Sequence, residues 1–186
     1  MATAKRDPGI SAKSLQADPT RPDPVICGDF DMRIARDGTW FYHGSPIGRK
    51  PLVKLFASVL NRDEEGVYWL ITPVEKGRVE VDDAPFLAVE LTVSGEGRDR
   101  ALTFRTALDD SVTAGDDHPL RVALDPATGE PSPYVLVRGR LEALISRSVF
   151  YELVALGVER VVDGETLFGV WSAGSFFPMG RLEDEN

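Results

Sequence analysis

Two short segments of the chain share one order of residue types, and this recurrence constrains the fold more than any other feature of the sequence. One segment runs from Ile47 through Arg49 and the other from Ile145 through Arg147, 98 positions further on. Each is preceded by a predicted strand and followed by an apolar helical pattern, a turn and an aromatic strand that contains Trp69 or Trp171. Coincidence is the alternative, because any two amphipathic helices share their apolar spacing. The shared order favours duplication of one strand–helix–strand unit.

Helical periodicity is confined to the two places that follow these segments. Apolar residues from Leu52 to Leu60 lie on one face of a predicted helix over residues 50–61, and Pro51 fits its first turn. Val149, Phe150, Leu153 and Val154 predict a second helix over 146–156, which Gly157 is placed to end.

The remaining pattern is that of short strands separated by turns. Glu75 to Gly77 is interpreted as a hairpin turn into an alternating strand, and Asp125 to Gly129 as a second turn. The predicted strands cover residues 39–43, 66–72, 78–82, 86–93, 101–107, 120–124, 134–137, 167–172 and 175–179.

These elements predict an α+β fold of two subdomains built from the repeated strand–helix–strand motif. We expect a flexible N-terminal tail over residues 1–24, because it is rich in proline and poor in large apolar side chains. An N-terminal α+β subdomain follows over 25–94, and a C-terminal, mostly-β subdomain with one helix over 95–181. Residues 182–186 form a frayed polar tail.

The charge of the chain argues against polyanionic partners. Its formal net charge is −9, and no run of Lys or Arg is longer than two. Long nucleic acids and anionic membrane surfaces are bound through basic faces, so neither is an expected partner. With no segment resembling an export signal, the sequence predicts a cytoplasmic location.

Few residues are suited to metal or cofactor chemistry. Cys27 is the single cysteine, and His43 and His118 lie 75 positions apart, so neither a disulfide nor a metal site is predicted. Gly95 and Gly97 are followed by a strand instead of a helix, which indicates a turn and not a phosphate-binding loop. No cofactor and no catalytic residue is predicted.

Several motifs of the chain resemble the uncharacterised bacterial family DUF 1285. The resemblance covers roughly residues 27–180 and is most specific from Trp40 to Phe86. It is carried by the residues at 38–40, 44–49, 52–56, 72–76, 82–86, 147, 149–154 and 169–172.

The resemblance implies a two-part α+β fold with duplicated motifs, whose C-terminal subdomain is similar to a pleckstrin-homology-like barrel with a helix. It also implies a site for a nucleotide-like ligand at the seam between the halves, and a link to signal transduction.

Candidate ligand-binding residues lie where predicted strands meet predicted helices. Arg49 and Lys50 lie where a strand ends and the first helix begins, and Arg147 has the equivalent place at the second helix, so an anion could bind there to N–H groups and to a guanidinium. Ion pairing of each cation with a nearby carboxylate is the alternative.

Three further candidates belong to strands. Thr72 and Lys76 could contact a phosphate, although the segment can also be a simple turn. Trp171 could stack on a base, although most tryptophans belong to the core.

Three functions follow in order of preference. The first is a non-enzymatic module that binds a small anionic, nucleotide-like ligand, and the second is a protein-interaction module with a protein partner. The third is a metal-dependent hydrolase using Glu75, Asp82 and Asp83, provided that these carboxylates converge.

Overall fold

The computed structural model describes residues 25–181, which form fifteen strands and two α-helices in that range. The sequence predicted an α+β fold, and the described residues form mostly strands with two helices. The predicted tails, residues 1–24 and 182–186, lie outside the described part. Neither helix of residues 25–181 has the length and apolar character required to cross a membrane.

The first sheet is built from the N-terminal part of the chain. Its strands are β1 (Val25–Ile34), β2 (Trp40–Tyr42), β3 (Ser45–Pro46), β4 (Leu60–Arg62), β5 (Tyr68–Ile71) and β6 (Glu75–Val81). They lie in the order β3-β2-β1-β6-β5-β4, and only β1 and β6 are parallel. Helix α1 (Lys50–Ser58) connects the two outer strands β3 and β4.

The second sheet has the same number of strands and again a single parallel pair. It contains β7 (Phe86–Ser94), β8 (Ala101–Thr106), β9 (Ser111–Thr113), β10 (Leu120–Leu124), β11 (Pro131–Arg138) and β12 (Leu141–Ile145). The order is β10-β11-β12-β7-β8-β9, with β12 parallel to β7. The strand at 86–94, which the sequence division placed in the first subdomain, thus pairs within this second sheet.

A third sheet follows helix α2 (Arg147–Ala155). Its strands β13 (Val158–Val162), β14 (Glu165–Ser172) and β15 (Ser175–Arg181) form an antiparallel meander. The turn between β14 and β15 contains Ala173 and Gly174, as predicted.

Each helix is preceded by three neighbouring antiparallel strands and followed by a three-stranded meander, β4-β5-β6 or β13-β14-β15. The first meander joins its own sheet through β1 and β6, whereas the second forms a separate sheet. The two halves share an order of elements but not their pairing, so duplication stays a prediction.

Both helices are slightly shorter than the sequence indicates. Helix α1 buries Val53 and Ala57 and ends at Ser58, because Leu60 begins strand β4 and is buried there. Apolar periodicity alone does not separate the end of a buried helix from the start of a buried strand.

The predicted turn at Glu75 to Gly77 is wrong. Glu75 begins β6, and the turn lies just before it, where the Thr72 N–H donates to the Glu75 carbonyl at 2.9 Å. Gly77 lies within the strand opposite Leu70, and a Cβ there would lie 2.4 Å from the ring of Phe30. The glycine makes room for a side chain and does not bend the chain.

One apolar core extends across both subdomains. It includes Ile34 and Trp40 from the first sheet, Phe86 and Phe104 from the second, and Val170 from the third. Polar contacts also cross the seam between the subdomains: Arg138 donates to the Ala57 carbonyl at 2.5 Å, and Arg140 pairs with Glu64 at 2.9 Å. The parts therefore pack as one body around shared apolar residues.

Candidate functional site

A cleft of about 580 Å³ opens where the first sheet meets helix α2 and the second sheet. We call it the seam cleft. Its lining includes Arg36 and Asp37 from the β1–β2 turn, residues 130–133 at the start of β11, and residues 144–147 from the end of β12 to the start of α2, with Leu87, Phe150 and Tyr151. The cavity volume is in the range of small-molecule sites.

Arg147 occupies the first position of α2, at one wall of the seam cleft. Ser146 precedes it with an extended backbone and gives no side-chain cap, so the first-turn N–H groups have no side-chain acceptor. The Arg147 guanidinium donates to Glu130 at 2.8 Å, and the two side chains are 74% and 63% exposed. An ion pair this exposed contributes little stability, so Arg147 can exchange its partner.

Arg36 also lines the seam cleft and comes from the other subdomain. Its guanidinium donates to the Ser132 hydroxyl at 2.9 Å and pairs with Asp83 at 3.2 Å. Asp83 also accepts the Tyr134 hydroxyl at 2.7 Å. Burial raises the pKa of Tyr134, and the hydrogen bond to Asp83 raises it further. The phenol therefore remains a donor to Asp83 at neutral pH.

Asp37 shapes the turn that carries Arg36. Its carboxylate accepts the Thr39 N–H at 2.9 Å, and this hydrogen bond lowers the pKa of Asp37. Gly38 has a φ of +84°, a left-handed conformation that the turn requires and that glycine adopts without strain. The sequence reveals this turn, but gives no sign that it reaches Ser132, 96 positions away.

The seam cleft also has apolar and aromatic lining residues. Leu87 and Leu144 contribute aliphatic surface, and α2 adds Phe150 and Tyr151. The Tyr151 side chain is 63% exposed, although it lies on a helix that packs on β7. An exposed aromatic ring next to an arginine at a helix N-terminus can contact a planar group and its anionic substituent together.

Arg49 is the residue that precedes α1, and it does not line the seam cleft. Its side chain is exposed and makes no hydrogen bond or ion pair within residues 25–181. Lys50 lies 2.9 Å from Asp109, which also contacts Lys54 and Arg105. Lys50 thus joins α1 to the β8–β9 turn, the ion-paired alternative considered from the sequence.

Thr72 and Lys76 lie together at the β5–β6 hairpin. The Thr72 hydroxyl accepts the Glu75 N–H at 3.1 Å and donates to the Glu75 carbonyl at 3.1 Å, so it stabilises the turn. The Lys76 ammonium lies 4.0 Å from the centre of the Trp69 ring. Both side chains have partners in the protein, and neither lines the seam cleft.

Trp171 lies on the third sheet, outside the seam cleft. Its ring is half-buried and contacts Phe176, with ring centres 5.4 Å apart. Of the six residues predicted to bind a ligand, Arg147 alone lines the seam cleft, and the role of all six in ligand binding stays a prediction. Sequence reasoning missed Arg36 and Tyr151, which also line the seam cleft.

The three carboxylates considered for hydrolysis do not converge. Glu75 begins β6 and Asp82 follows its end, so roughly 20 Å of extended strand separates them. Asp82 pairs with Arg33 at 2.5 Å, whereas its neighbour Asp83 pairs with Arg36. Residues 25–181 contain no group of three His, Cys, Asp or Glu side chains that could hold a metal ion.

Two family models together match nearly the whole chain. The model described as "Domain of unknown function (DUF1285), N-terminal domain" matches residues 20–84. The model described as "Protein of unknown function (DUF1285), C-terminal domain" matches residues 85–179. The junction of the two models coincides with the loop between β6 and β7, near which the seam cleft lies.

Solved structures similar to this chain come from the same family. A DUF1285 family protein from Silicibacter pomeroyi is 54% identical, with a TM-score of 0.79 and coverage of 91% of each chain. A second, from Shewanella baltica, is 29% identical, with a TM-score of 0.53 over 67% of this chain and 90% of that one. No curated protein matches the chain.

Proposed function

The chain belongs to the DUF1285 family, and from that premise we propose that it is a non-enzymatic module that binds a small anionic ligand in the seam cleft. One observation carries the proposal. Arg36 of the N-terminal domain and Arg147 of the C-terminal domain line one cavity, together with the uncapped N-terminus of α2. Guanidinium groups and free helix N–H groups are the donors that proteins use for phosphate and carboxylate.

Charge favours the seam cleft over a second cleft of about 590 Å³ on the first sheet. The second cleft is lined by three carboxylates, those of Asp29, Asp31 and Glu80, against two arginines. In the seam cleft the arginines and carboxylates are equal in number, and the helix N-terminus adds a partial positive charge. An anion therefore meets less repulsion there.

The arginines of the seam cleft already contact carboxylates, so binding is an exchange of partners. The pair of Arg147 with Glu130 is exposed, and such pairs contribute about 0–1 kcal/mol. A phosphate offers bidentate, charge-assisted hydrogen bonds to the same guanidinium. The exchange is favourable when the ligand replaces the single contact of Glu130 with two.

The aromatic lining of the seam cleft supports a nucleotide-like ligand in preference to a bare anion. Tyr151 follows Arg147 by four residues, which places both on one face of α2. A base stacked on the exposed ring of Tyr151 would leave its phosphate near Arg147. Stacking of a base on an aromatic ring contributes about 1–3 kcal/mol.

The wider proposal includes features implied by the family resemblance. These are a duplicated strand–helix–strand unit, a C-terminal subdomain similar to a pleckstrin-homology-like barrel, a cytoplasmic location and a role in signal transduction. The recurring order of three strands, helix and meander supports the first of them. In signal transduction, ligand binding between two subdomains would alter how they pack together.

Thermal-shift measurements with nucleoside mono- and diphosphates and cyclic dinucleotides test the proposal. We expect at least one to raise the melting temperature in a concentration-dependent way, because a ligand that binds only the folded state stabilises it. Arg147→Gln should abolish that shift with little effect on the unliganded protein. Arg140→Gln is the matched control, since it removes an exposed ion pair outside the cleft.

Two results would refute the proposal. One is the absence of a shift with every compound, and the other is an equal shift in wild type and Arg147→Gln. Isothermal titration calorimetry with the compound that gives the largest shift should rank the variants by affinity in the same order. Agreement of the two measurements shows that the substitutions change ligand binding and not only the unfolding temperature.

A further inference from the structure

The third sheet presents an outward face made of aromatic and cationic side chains. Trp171 lies opposite Phe176 in the β14–β15 pair, so both rings project from the same side. Arg160 lies opposite Leu167, which is on that side too because it precedes Trp171 by four residues along β14. Arg98, from the single 3₁₀ turn between β7 and β8, completes the face.

The opposite side of the same sheet belongs to the core. Val170 and Phe177 are buried and paired, and the Ser172 hydroxyl donates to the Ala114 carbonyl. The sheet is thus fixed on its inner side, while Trp171 and Phe176 remain half-buried on the outer side. The aromatic side chains of the outward face therefore belong to a sheet whose inner side is packed in the core.

Two guanidinium groups cover the aromatic rings. Those of Arg98 and Arg160 lie 4.9 Å and 4.8 Å from the centre of the Trp171 ring, and Arg160 lies 5.3 Å from the centre of Phe176. The Arg98 carbonyl accepts the Gly174 N–H at 3.1 Å, which fixes this loop to the β14–β15 turn. The arrangement is preorganised by the backbone.

Neither of these arginines contacts a carboxylate within residues 25–181. Seven other arginines in that range form ion pairs with Asp or Glu. In a chain of net charge −9, two neighbouring guanidinium groups without a carboxylate form a local positive patch. An acidic group from outside the molecule would complement that patch.

Strand β13 borders the outward face and is an edge strand. It pairs with β14 on one side, so half of its backbone N–H and C=O groups point away from the sheet. Four of its five residues are exposed, among them Val158 and Val161 at 42% and 68%. A strand of this kind can accept a further strand.

We propose that this edge and the outward face bind an extended acidic segment of a protein partner, which adds to β13 as a strand. Carboxylates at alternate positions of the segment contact Arg160 and Arg98, and apolar side chains between them pack on Val161. Glu159 points to the opposite side of the sheet from Arg160 and repels acidic side chains there. The acidic residues of the segment must therefore alternate with apolar ones.

The shape and charge of the face favour a peptide over other anions. The side chains of the face line neither the seam cleft nor the cleft of about 590 Å³ on the first sheet, so a free phosphate would keep few contacts there. A strand along five residues of β13 extends over roughly 17 Å and gains backbone hydrogen bonds. A long nucleic acid would meet the net negative charge of the remaining surface.

Fluorescence polarisation with labelled nine-residue peptides tests the proposal. The probes alternate Glu or Asp with Val, Ile or Thr, and matched peptides carry Gln or Asn in place of the acids. We expect the acidic peptides to bind and the amide peptides to bind at least about fivefold more weakly, with a clear loss of affinity at higher salt.

Variants of the chain identify the surface. Arg98→Gln and Arg160→Gln should each weaken binding by about fivefold, the upper range for one exposed ion pair. Arg181→Gln is the matched control, since Arg181 is on the same sheet but pairs with Glu165. It should leave the affinity within about twofold of wild type.

Further measurements separate binding from a structural role. If the arginines only shield the rings, the variants lower the melting temperature and leave peptide affinity unchanged, which overturns the proposal. Absence of binding by every acidic peptide, or competition by inorganic phosphate as effective as by unlabelled peptide, also overturns it. A peptide methylated at the amides facing β13 should lose binding, and retained affinity would refute strand addition.

Discussion

Removal of the Ser172 hydroxyl is expected to destabilise the protein more than the loss of one oxygen atom usually does. Ser172 is fully buried, accepts the Leu102 N–H at 3.0 Å and donates to the Ala114 carbonyl at 2.7 Å. Strand β9 ends at Thr113, so the hydrogen bonds that pair β8 with β9 do not include the Leu102 N–H. The hydroxyl therefore continues the second sheet and attaches the third sheet to it.

The magnitude follows from the two groups that Ser172→Ala leaves without this partner. A buried donor or acceptor left unsatisfied costs about 1–3 kcal/mol. With one of each, we expect a loss of about 2–6 kcal/mol in the free energy of unfolding. The substitution removes one oxygen atom and keeps the Cβ in place, so it creates no sizeable cavity and packing adds little.

Equilibrium urea unfolding, followed by tryptophan fluorescence, measures this loss as a lower midpoint at constant slope. Ser175→Ala is the matched control from the same hairpin. Its hydroxyl donates to Asp116 at 2.7 Å near the surface, and its removal should cost less than about 0.5 kcal/mol. If Ser172→Ala is as stable as Ser175→Ala, the buried hydroxyl does not hold the second and third sheets together.

Two further changes test packing and charge. Gly77→Ala places a Cβ 2.4 Å from the Phe30 ring, so we expect a loss of about 1–3 kcal/mol in urea unfolding, and a smaller loss in a Phe30→Ala background; equal losses in both backgrounds would contradict the steric explanation. Asp109→Asn tests the contacts of Lys50 and Lys54, which lower the pKa of Asp109 below its ordinary 3.8. The carboxylate stabilises the fold above pH 3.8 and loses that effect as the pH falls through its lowered pKa. The difference in melting temperature between wild type and variant should therefore become smaller as the pH is lowered. A difference independent of pH would rule out the ion pairs as its source.

The helices and most strands were predictable because their signals are local. Apolar periodicity locates α1 and α2 to within a few residues, and alternation locates β7 and β8. The turn at Glu75 was mispredicted because glycine has two uses that a sequence does not distinguish. Gly77 is needed for the ring of Phe30, 47 positions earlier, and that contact exists only after β1 and β6 pair.

Part of the candidate site was also predictable, because its signal is local. Arg147 begins a helix, and that position can be recognised in the sequence. Arg36 lies in an ordinary turn, and its contact with Ser132 depends on the packing of two subdomains. Likewise, Trp171 was considered for base stacking, but its neighbours Arg98 and Arg160 come from other elements of the chain.

The two proposed surfaces use arginine in different ways, and this makes them separable. In the seam cleft, Arg36 also fastens the subdomains through Ser132 and Asp83, so its substitution alters stability and binding together. Arg147 has an exposed ion pair and no such second role, which makes it the cleaner variant for ligand binding. Arg160 contacts the rings of the outward face and lies outside the seam cleft. Arg147→Gln should therefore leave peptide affinity unchanged, and Arg160→Gln should leave the ligand-induced thermal shift unchanged. A variant that weakens both would instead indicate that the cleft and the third sheet are coupled through α2, which packs on β14.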